Sequence, residues 1–149
     1  MNISRGSSTC CIIKPHAVRA DLTEKIVYDI QRENFNIKKM VPFNISKVNC
    51  QEFYDIYKGV VPFYEEMVGE LNSGTCVGLE ITHNDPKVDV VSEFRKLCGP
   101  MDSELAKEIR PNSLRAKYGI TKIQNAVHCS DLHEESVLEV EYLFKILLA

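Results

Sequence analysis

The residues whose types and spacing suit chemistry are concentrated in Asn125-Ala-Val-His128-Cys-Ser130-Asp131. Imidazole titrates near pH 6.5, so at neutral pH its ring is a neutral nucleophile. The apolar pair Ala126-Val127 carries His128 to the end of a strand, and the polar turn Ser130-Asp131 follows. That position faces a cleft rather than a core. From this stretch alone two uses stay open: a hydrogen bond to its own turn, or attack on an electrophile. Further on, Glu139 shares a helical stripe with Leu143 and Ile146 at the border of an apolar face. A part-buried carboxylate there needs a donor. His128 or Ser130 supplies one, and the anion would then orient the imidazole and raise its basicity. The other reading is a carboxylate on the exposed helix rim.

What His128 would attack depends on the cations. The glycines, at 6, 59, 69, 74, 78, 99 and 119, form neither G-x-G-x-x-G nor G-x-x-x-x-G-K-[ST], so any phosphate must be held by side chains. The net charge of −3 gives no general attraction for nucleic acid or anionic membrane, so an anion site has to be a local cluster. Its candidates are Lys14 at a strand end, Arg95 late in a helix and Arg115 beyond a long polar stretch. Guanidinium groups bind phosphate oxygens by charge-assisted, often bidentate bonds.

The elements that must position these groups follow from periodicity. Thr9 to Ile13 reads as a buried strand stopped by Lys14-Pro15. Leu22 to Asn34 is an amphipathic helix with Ile26, Val27 and Ile30 on one face, capped by Asp21 or Thr23. Phe35 to Ile45 alternates as a strand, and helices are expected from Asn49 to Gly59 and from Phe63 to Leu71. Thr75 to Thr82 is a strand, and Pro86 opens a helix that closes at Gly99-Pro100. Met101 to Ser113 reads as a long polar loop. A helical turn at Leu114 to Gly119, a strand at Ala126 to Cys129 and a helix from Glu134 to Leu148 complete the chain. In that last helix Val137, Val140, Phe144 and Leu147 are expected to face the core. The order suits a ferredoxin-like α/β sandwich, a four-stranded antiparallel sheet covered by helices on one face.

The composition, 44% hydrophobic and 26% charged, is that of one domain with a real core. Residues 1–8 read as a disordered or appended start and 9–149 as the domain. No apolar run approaches the ~20 residues of a membrane span. The six cysteines show no zinc spacing and sit mostly among apolar neighbours, as reduced buried thiols of an intracellular protein do.

Taken together, Lys14-Pro15, Arg95, Arg115, and Asn125-x-x-His128-x-Ser130-Asp131 followed by Glu139 resemble the nucleoside diphosphate kinases, over about Thr9 to Tyr142. Lys14-Pro-His-Ala-Val, Tyr54-x-x-Tyr57-Lys-Gly-Val-Val and Thr121 to Asp131 look most like the divergent, cilium-associated branch of that family. The resemblance implies transfer of the γ-phosphate of a nucleoside triphosphate to a nucleoside diphosphate, ping-pong through a phosphohistidine. It implies that His128 is the nucleophile and that Glu139 and Ser130 hold its ring. Arg95 and Arg115 would bind phosphates, Lys14 and Asn125 the ribose hydroxyls and phosphate, Phe63 the base, and Tyr54 would line the cleft near the histidine. Magnesium (Mg2+) is implied on the nucleotide phosphates rather than on protein ligands. So are a homo-oligomer, tubulin-associated or axonemal partners, and a cytoplasmic, cytoskeletal or ciliary location.

The chain departs from the common family pattern at several points. K-P-D-G-V becomes Lys14-Pro15-His16-Ala17-Val18, Val61 stands before Pro62 where arginine is usual, and Met101-Asp102 stands where a threonine is expected. The stretch from Gly99 to Arg115 carries about three extra residues. These changes motivate a second reading, a weakly active or inactive nucleotide-binding domain that is a structural part of a microtubule or ciliary assembly.

Overall fold

The computed structural model describes residues 8–147. The first seven residues of the expected disordered start, and Leu148 of the expected last helix, lie outside the described residues. Four antiparallel strands form one sheet: β1 (Thr9–Ile13), β2 (Phe35–Phe43), β3 (Cys76–His83) and β4 (Val127–Cys129), in the order β2-β3-β1-β4. This is the ferredoxin-like order. β1 is central and every one of its residues is buried, which is why its sequence is an unbroken apolar run and not an alternating one.

Successive side chains of β1 point to opposite faces of the sheet. Cys11 and Ile13 pack against Ile26 and Ile30 of α2 (Thr23–Arg32) and Val90, Val91 and Phe94 of α5 (Val90–Cys98). Cys10 and Ile12 pack on the other side against Phe53 of α3 (Lys47–Phe53) and Met67, Val68 and Leu71 of α4 (Tyr64–Leu71). Helices therefore cover both faces, not one. A central strand with no polar side would otherwise expose one of its rows to water.

Several boundaries differ from the periodicity reading, each for a local reason. Lys14-Pro15 does not end structure. It starts a short helix, α1 (Pro15–Arg19), with proline at a first-turn position where its missing N–H costs nothing. Neither Asp21 nor Thr23 caps α2, because Leu22 is the capping residue and Asp21 lies at φ 59°. α5 begins at Val90, after Asp89 accepts a bond from Ser92 N (3.4 Å), rather than at Pro86. The expected polar loop contains a helix, α6 (Ser103–Ile109), whose orphan N–H groups of Glu104 and Leu105 are taken up by Asp102 Oδ1 at 3.0 and 3.4 Å. α7 (Leu114–Tyr118) follows, capped by Ser113.

The last helix, α8 (His133–Glu141), gives way to a wider π-type turn over Tyr142–Leu147. The buried stripe of this segment runs through Ser136, Glu139 and Leu143, at ordinary α-helical spacing. Leu143 is fully buried, whereas Val137, expected in the core, is 47% exposed. Leu143 sits on Gly78 of β3, where an added Cβ would lie 2.6 Å from Leu143 Cδ2 and 3.1 Å from Phe43 Cε1. Truncating Leu143 to Ala is expected to cost about 2–5 kcal/mol, and Gly78→Ala about 1–3 kcal/mol by overpacking the same spot. Urea titrations of both variants check this; a Leu143→Ala midpoint equal to wild type would contradict the packing described.

Candidate active site

The C-terminal end of β1, the start of α1, the end of α5, α7 and β4 border a cleft of about 460 Å³. Its lining includes Lys14, Tyr54, Arg95, Arg115, Asn125 and His128, the cations and polar groups singled out in the sequence. His128 lies in β4 opposite Ile12 of β1, and is 4% exposed. Its Nε2 is 2.8 Å from Glu139 Oε1, and Ser130 Oγ donates to the same oxygen, also at 2.8 Å. Of the two uses open to His128, the structure thus gives it a carboxylate partner from α8. Glu139 is buried rather than on the exposed rim, and its two donors satisfy its oxygen.

This pairing sets the tautomer. A carboxylate accepts, so Nε2 carries the proton and Nδ1 keeps its lone pair. Phe53 and Tyr54 pack on the ring with centroids 5.1 and 5.7 Å away, fixing its tilt. The imidazole is held in one orientation, which suits Nδ1 to act as a nucleophile.

The cations are differently supported. Arg115 is buried, and its fork is spent on backbone: Nη1 donates to Gly99 O (2.8 Å), Nη2 to Val127 O (3.0 Å) and Nε to Val127 O (3.3 Å). Guanidinium has five N–H donors, so part of the fork is left for the cleft. Lys14 is also buried, with a single long bond from Nζ to Ile123 O (3.4 Å). Burial, together with the neighbouring Arg115 charge, lowers its ammonium to about 7. Arg95 is half-exposed over the cleft mouth, 3.5 Å from Asp131, whose other oxygen accepts from Tyr57 Oη at 2.8 Å. Two further groups are conspicuous for what they lack. Among the described residues, the buried Asn125 Oδ1 and Tyr54 Oη have no hydrogen-bond partner, although Asn125 Nδ2 donates to Met101 O at 2.9 Å. A cleft with unsatisfied donors on Lys14 and Tyr54 and an unsatisfied acceptor on Asn125 is suited to an anion that also carries hydroxyl groups.

Phe63 is not brought to the cleft lining. It lies half-buried with Lys122 Nζ 4.7 Å over its ring, and it is Lys122 that faces the cleft. Met101-Asp102, standing where a threonine was expected, serves the backbone: Met101 O binds Asn125 and Asp102 caps α6. Residues that sequence reasoning missed are Tyr57, Lys122 and His16. All three stood in stretches that the resemblance already picked out, without a role of their own.

His16 has a specific task. Ala126 has φ 77° and is the centre of a γ-turn in which Val127 N donates to Asn125 O (2.9 Å). Left-handed φ is strained for a residue with a side chain. The turn is pinned by Lys14 N donating to Ala126 O and by Ala126 N donating to His16 Nε2, both at 2.9 Å. His16 N in turn donates to Glu70 at 2.9 Å. An imidazole that accepts at Nε2 must be neutral there. Burial lowers the His16 pKa below 6.5, with the Lys14 and Arg19 charges adding to it and Glu70 opposing.

The cleft lining offers a metal little. Among the described residues, no group of three His, Cys, Asp or Glu is placed to hold one, and Asp131, the carboxylate in the cleft lining, is already engaged by Arg95 and Tyr57.

Comparison with known proteins agrees with the geometry. The sequence profile of the nucleoside diphosphate kinase family matches residues 7–147. The chain is 50% identical over 139 residues to nucleoside diphosphate kinase homolog 7 of Rattus norvegicus, covering 93% of this chain and 34% of that protein; the Mus musculus homolog matches to the same extent. It is 33% identical over 136 residues to the nucleoside diphosphate kinase of Aquifex aeolicus, covering 91% of this chain and 92% of that one. A crystal structure of the Aquifex aeolicus enzyme superposes with a TM-score of 0.86, covering 95% of this chain and 96% of that chain. The Encephalitozoon cuniculi enzyme, 23% identical with a TM-score of 0.83 over 93% of this chain and 88% of that one, shares the fold. The chain spans about a third of the length of the rodent relatives.

The His16 contact has a pH signature. Because the folded pKa lies below the unfolded value of 6.5, the unfolded chain binds more protons in that interval. His16 therefore contributes stability that is present above pH 6.5 and lost as pH falls. Denaturant midpoints measured between pH 7.5 and 5.5 should fall with pH in wild type and fall less in His16→Gln. Equal slopes would show that His16 does not carry the dependence.

Proposed function

Because the chain belongs to the nucleoside diphosphate kinase family, we propose that it moves the γ-phosphate of a nucleoside triphosphate to a nucleoside diphosphate by way of phosphorylated His128. The observation that supports this most strongly is the imidazole whose Nε2 is tied to Glu139, in a cleft lined by Lys14, Arg95 and Arg115. The Nδ1 lone pair attacks the γ-phosphorus. The P–N bond forms as the bond from the γ-phosphorus to the β-bridging oxygen breaks, and the diphosphate leaves with the electron pair. The ring gains positive character as this happens, and Glu139 balances it through the Nε2 proton. A terminal oxygen of a second diphosphate then attacks the phosphohistidine and reverses the step.

Phosphoryl transfer through a loose transition state depends chiefly on positioning and charge. Arg115, immobilised by Gly99 and Val127, and Arg95, swung over the mouth, would bear on the transferring and leaving oxygens. Lys14 and Asn125 would take the phosphate and the ribose hydroxyls, and Tyr54 Oη would gain the partner it lacks. Phe63 is proposed to stack on the base once Lys122 is displaced from its face. Magnesium would arrive with the phosphates and offset their charge.

A second reading is favoured by one observation: the stretch after Gly99 spends Asp102 on capping α6 and puts no hydroxyl side chain where threonine is expected. It is a nucleotide-binding domain with little turnover, acting within a microtubule or ciliary assembly. Retrieval of tubulin-associated proteins by the domain, with binding but negligible transfer, would favour it.

Incubation with γ-labelled ATP and magnesium should give an acid-labile phosphoprotein that discharges on addition of a different nucleoside diphosphate. His128→Ala should not label, and Glu139→Gln should label at least roughly tenfold more slowly, about 1.4 kcal/mol of lost transition-state stabilisation. Labelling of His128→Ala equal to wild type would overturn the assignment. Lys14 gives an independent check. Its ammonium sits near pH 7 without ligand, and bound phosphate raises it. Binding therefore takes up protons and weakens as pH rises above 7. Calorimetry in buffers of different ionisation enthalpy at pH 7.5 should detect this uptake in wild type and lose it in Lys14→Met.

A further inference from the structure

We propose that Lys122 is a specificity-determining residue of the cleft and makes it prefer guanine nucleotides to adenine nucleotides. The inference rests on the nucleotide reading above and adds to it the base that the cleft selects. Lys122 is exposed and lines the cleft, and its Nζ lies 4.7 Å over the half-buried Phe63 ring. Among the described residues, no carboxylate or carbonyl takes a proton from that ammonium, so the ring face is what holds it. Its three N–H donors are left for water or a ligand.

The backbone fixes where this side chain starts. Ile120 N and Thr121 N both donate to Gln124 O, at 2.6 and 3.2 Å. Thr121 Oγ1 accepts from Ile123 N (3.2 Å) and Gln124 N (3.0 Å). Lys122 therefore stands at the apex of a closed turn. The turn is tied on two sides. Ile123 O accepts from Lys14 Nζ at 3.4 Å, and Gln124 Nε2 donates to Glu70 Oε1 of α4 at 3.5 Å. Lys122 is thus one residue from the carbonyl that holds Lys14, the cation proposed for phosphate and ribose, and its side chain reaches across to the residue just before α4.

An aromatic ring under a displaceable ammonium is a stacking platform with a cover. A base that stacks on Phe63 has to take the ring face from Lys122. The displaced ammonium stays beside that base, because the turn does not let it retreat. What it meets there decides the outcome, since an ammonium donates and never accepts. Guanine presents O6 and N7, two adjacent acceptors that a lysine binds together, whereas adenine presents N7 next to its N6 amino group, a donor. Guanine therefore replaces the contact with the ring by charge-assisted hydrogen bonds. Adenine sets donor against donor at one of the two positions. Asp131, the carboxylate in the cleft lining, is held by Arg95 and Tyr57, so it does not draw the ammonium away from the base.

The test is calorimetric titration of the full chain, with magnesium present, by GDP, ADP, IDP and 7-deaza-GDP. The hypoxanthine of IDP keeps O6 and N7 and lacks the 2-amino group of guanine, and 7-deazaguanine lacks N7. GDP and IDP should bind at least roughly fivefold tighter than ADP, and 7-deaza-GDP should bind more weakly than GDP. Lys122→Met should erase the difference between GDP and ADP, and Lys122→Arg, which keeps the donors, should retain it. Equal affinities for GDP and ADP in the wild type, or a preference that survives in Lys122→Met, would overturn the proposal. Failure of all four diphosphates to bind would overturn both this proposal and the nucleotide reading it rests on. Guanine preference in binding without label on His128 would uphold this proposal and remove the transfer step alone.

Discussion

A buried guanidinium cannot shed its charge, so the fold has to surround it with acceptors. Arg115 imposes this requirement at the centre of the molecule, and the carbonyls of Gly99 and Val127 meet it. Those two carbonyls belong to the end of α5 and the start of β4. Tying both to α7 closes the stretch from Gly99 to Arg115, which contains α6, back onto the end of α5. The same bonds position a fixed positive charge beside His128 before any ligand arrives. Reorganisation that would otherwise fall in the reaction step is completed during folding.

The other charges are arranged around that fixed one. Glu139 is buried on the far side of the imidazole and is satisfied by His128 and Ser130, so its anion does not reach into the cleft. Burial, with the Arg115 charge nearby, leaves the Lys14 proton loosely held near neutrality. The cleft thereby avoids two full charges side by side, and under the proposed function a polyphosphate would restore the second one. Arg95 remains at the mouth in a half-exposed pair with Asp131, a contact weak enough in water to be exchanged for phosphate.

Much of this was legible in the residues, because His128, Glu139, Lys14, Asn125 and Arg115 are types that seldom sit at strand ends or apolar borders without a task. What escaped the reading has physical reasons. The helix inside the polar stretch depends on Asp102 as its cap, and a capping aspartate in a polar segment looks like any other loop residue. The buried face of the last helix was misassigned because its stripe is built partly on polar residues: Ser136 and Glu139 are buried in line with Leu143, which leaves Val137 out. Helices on both faces followed from the unalternating β1, a cue that admits more than one architecture. His16 read as the loss of an acid, yet its ring supplies the acceptor for Ala126 N.

The γ-turn at Ala126 places stability and placement in opposition. Glycine would occupy φ 77° without strain, so its entry at this position is the change most readily gained by selection for a more stable fold. It would also widen the range of backbone angles open at the position between Asn125 and Val127, two residues before His128. Alanine holds the turn in a narrow well, clamped by Lys14 and His16. A lineage that kept the chemistry would therefore retain a costly residue there, and one that kept only the fold would be free to relax it.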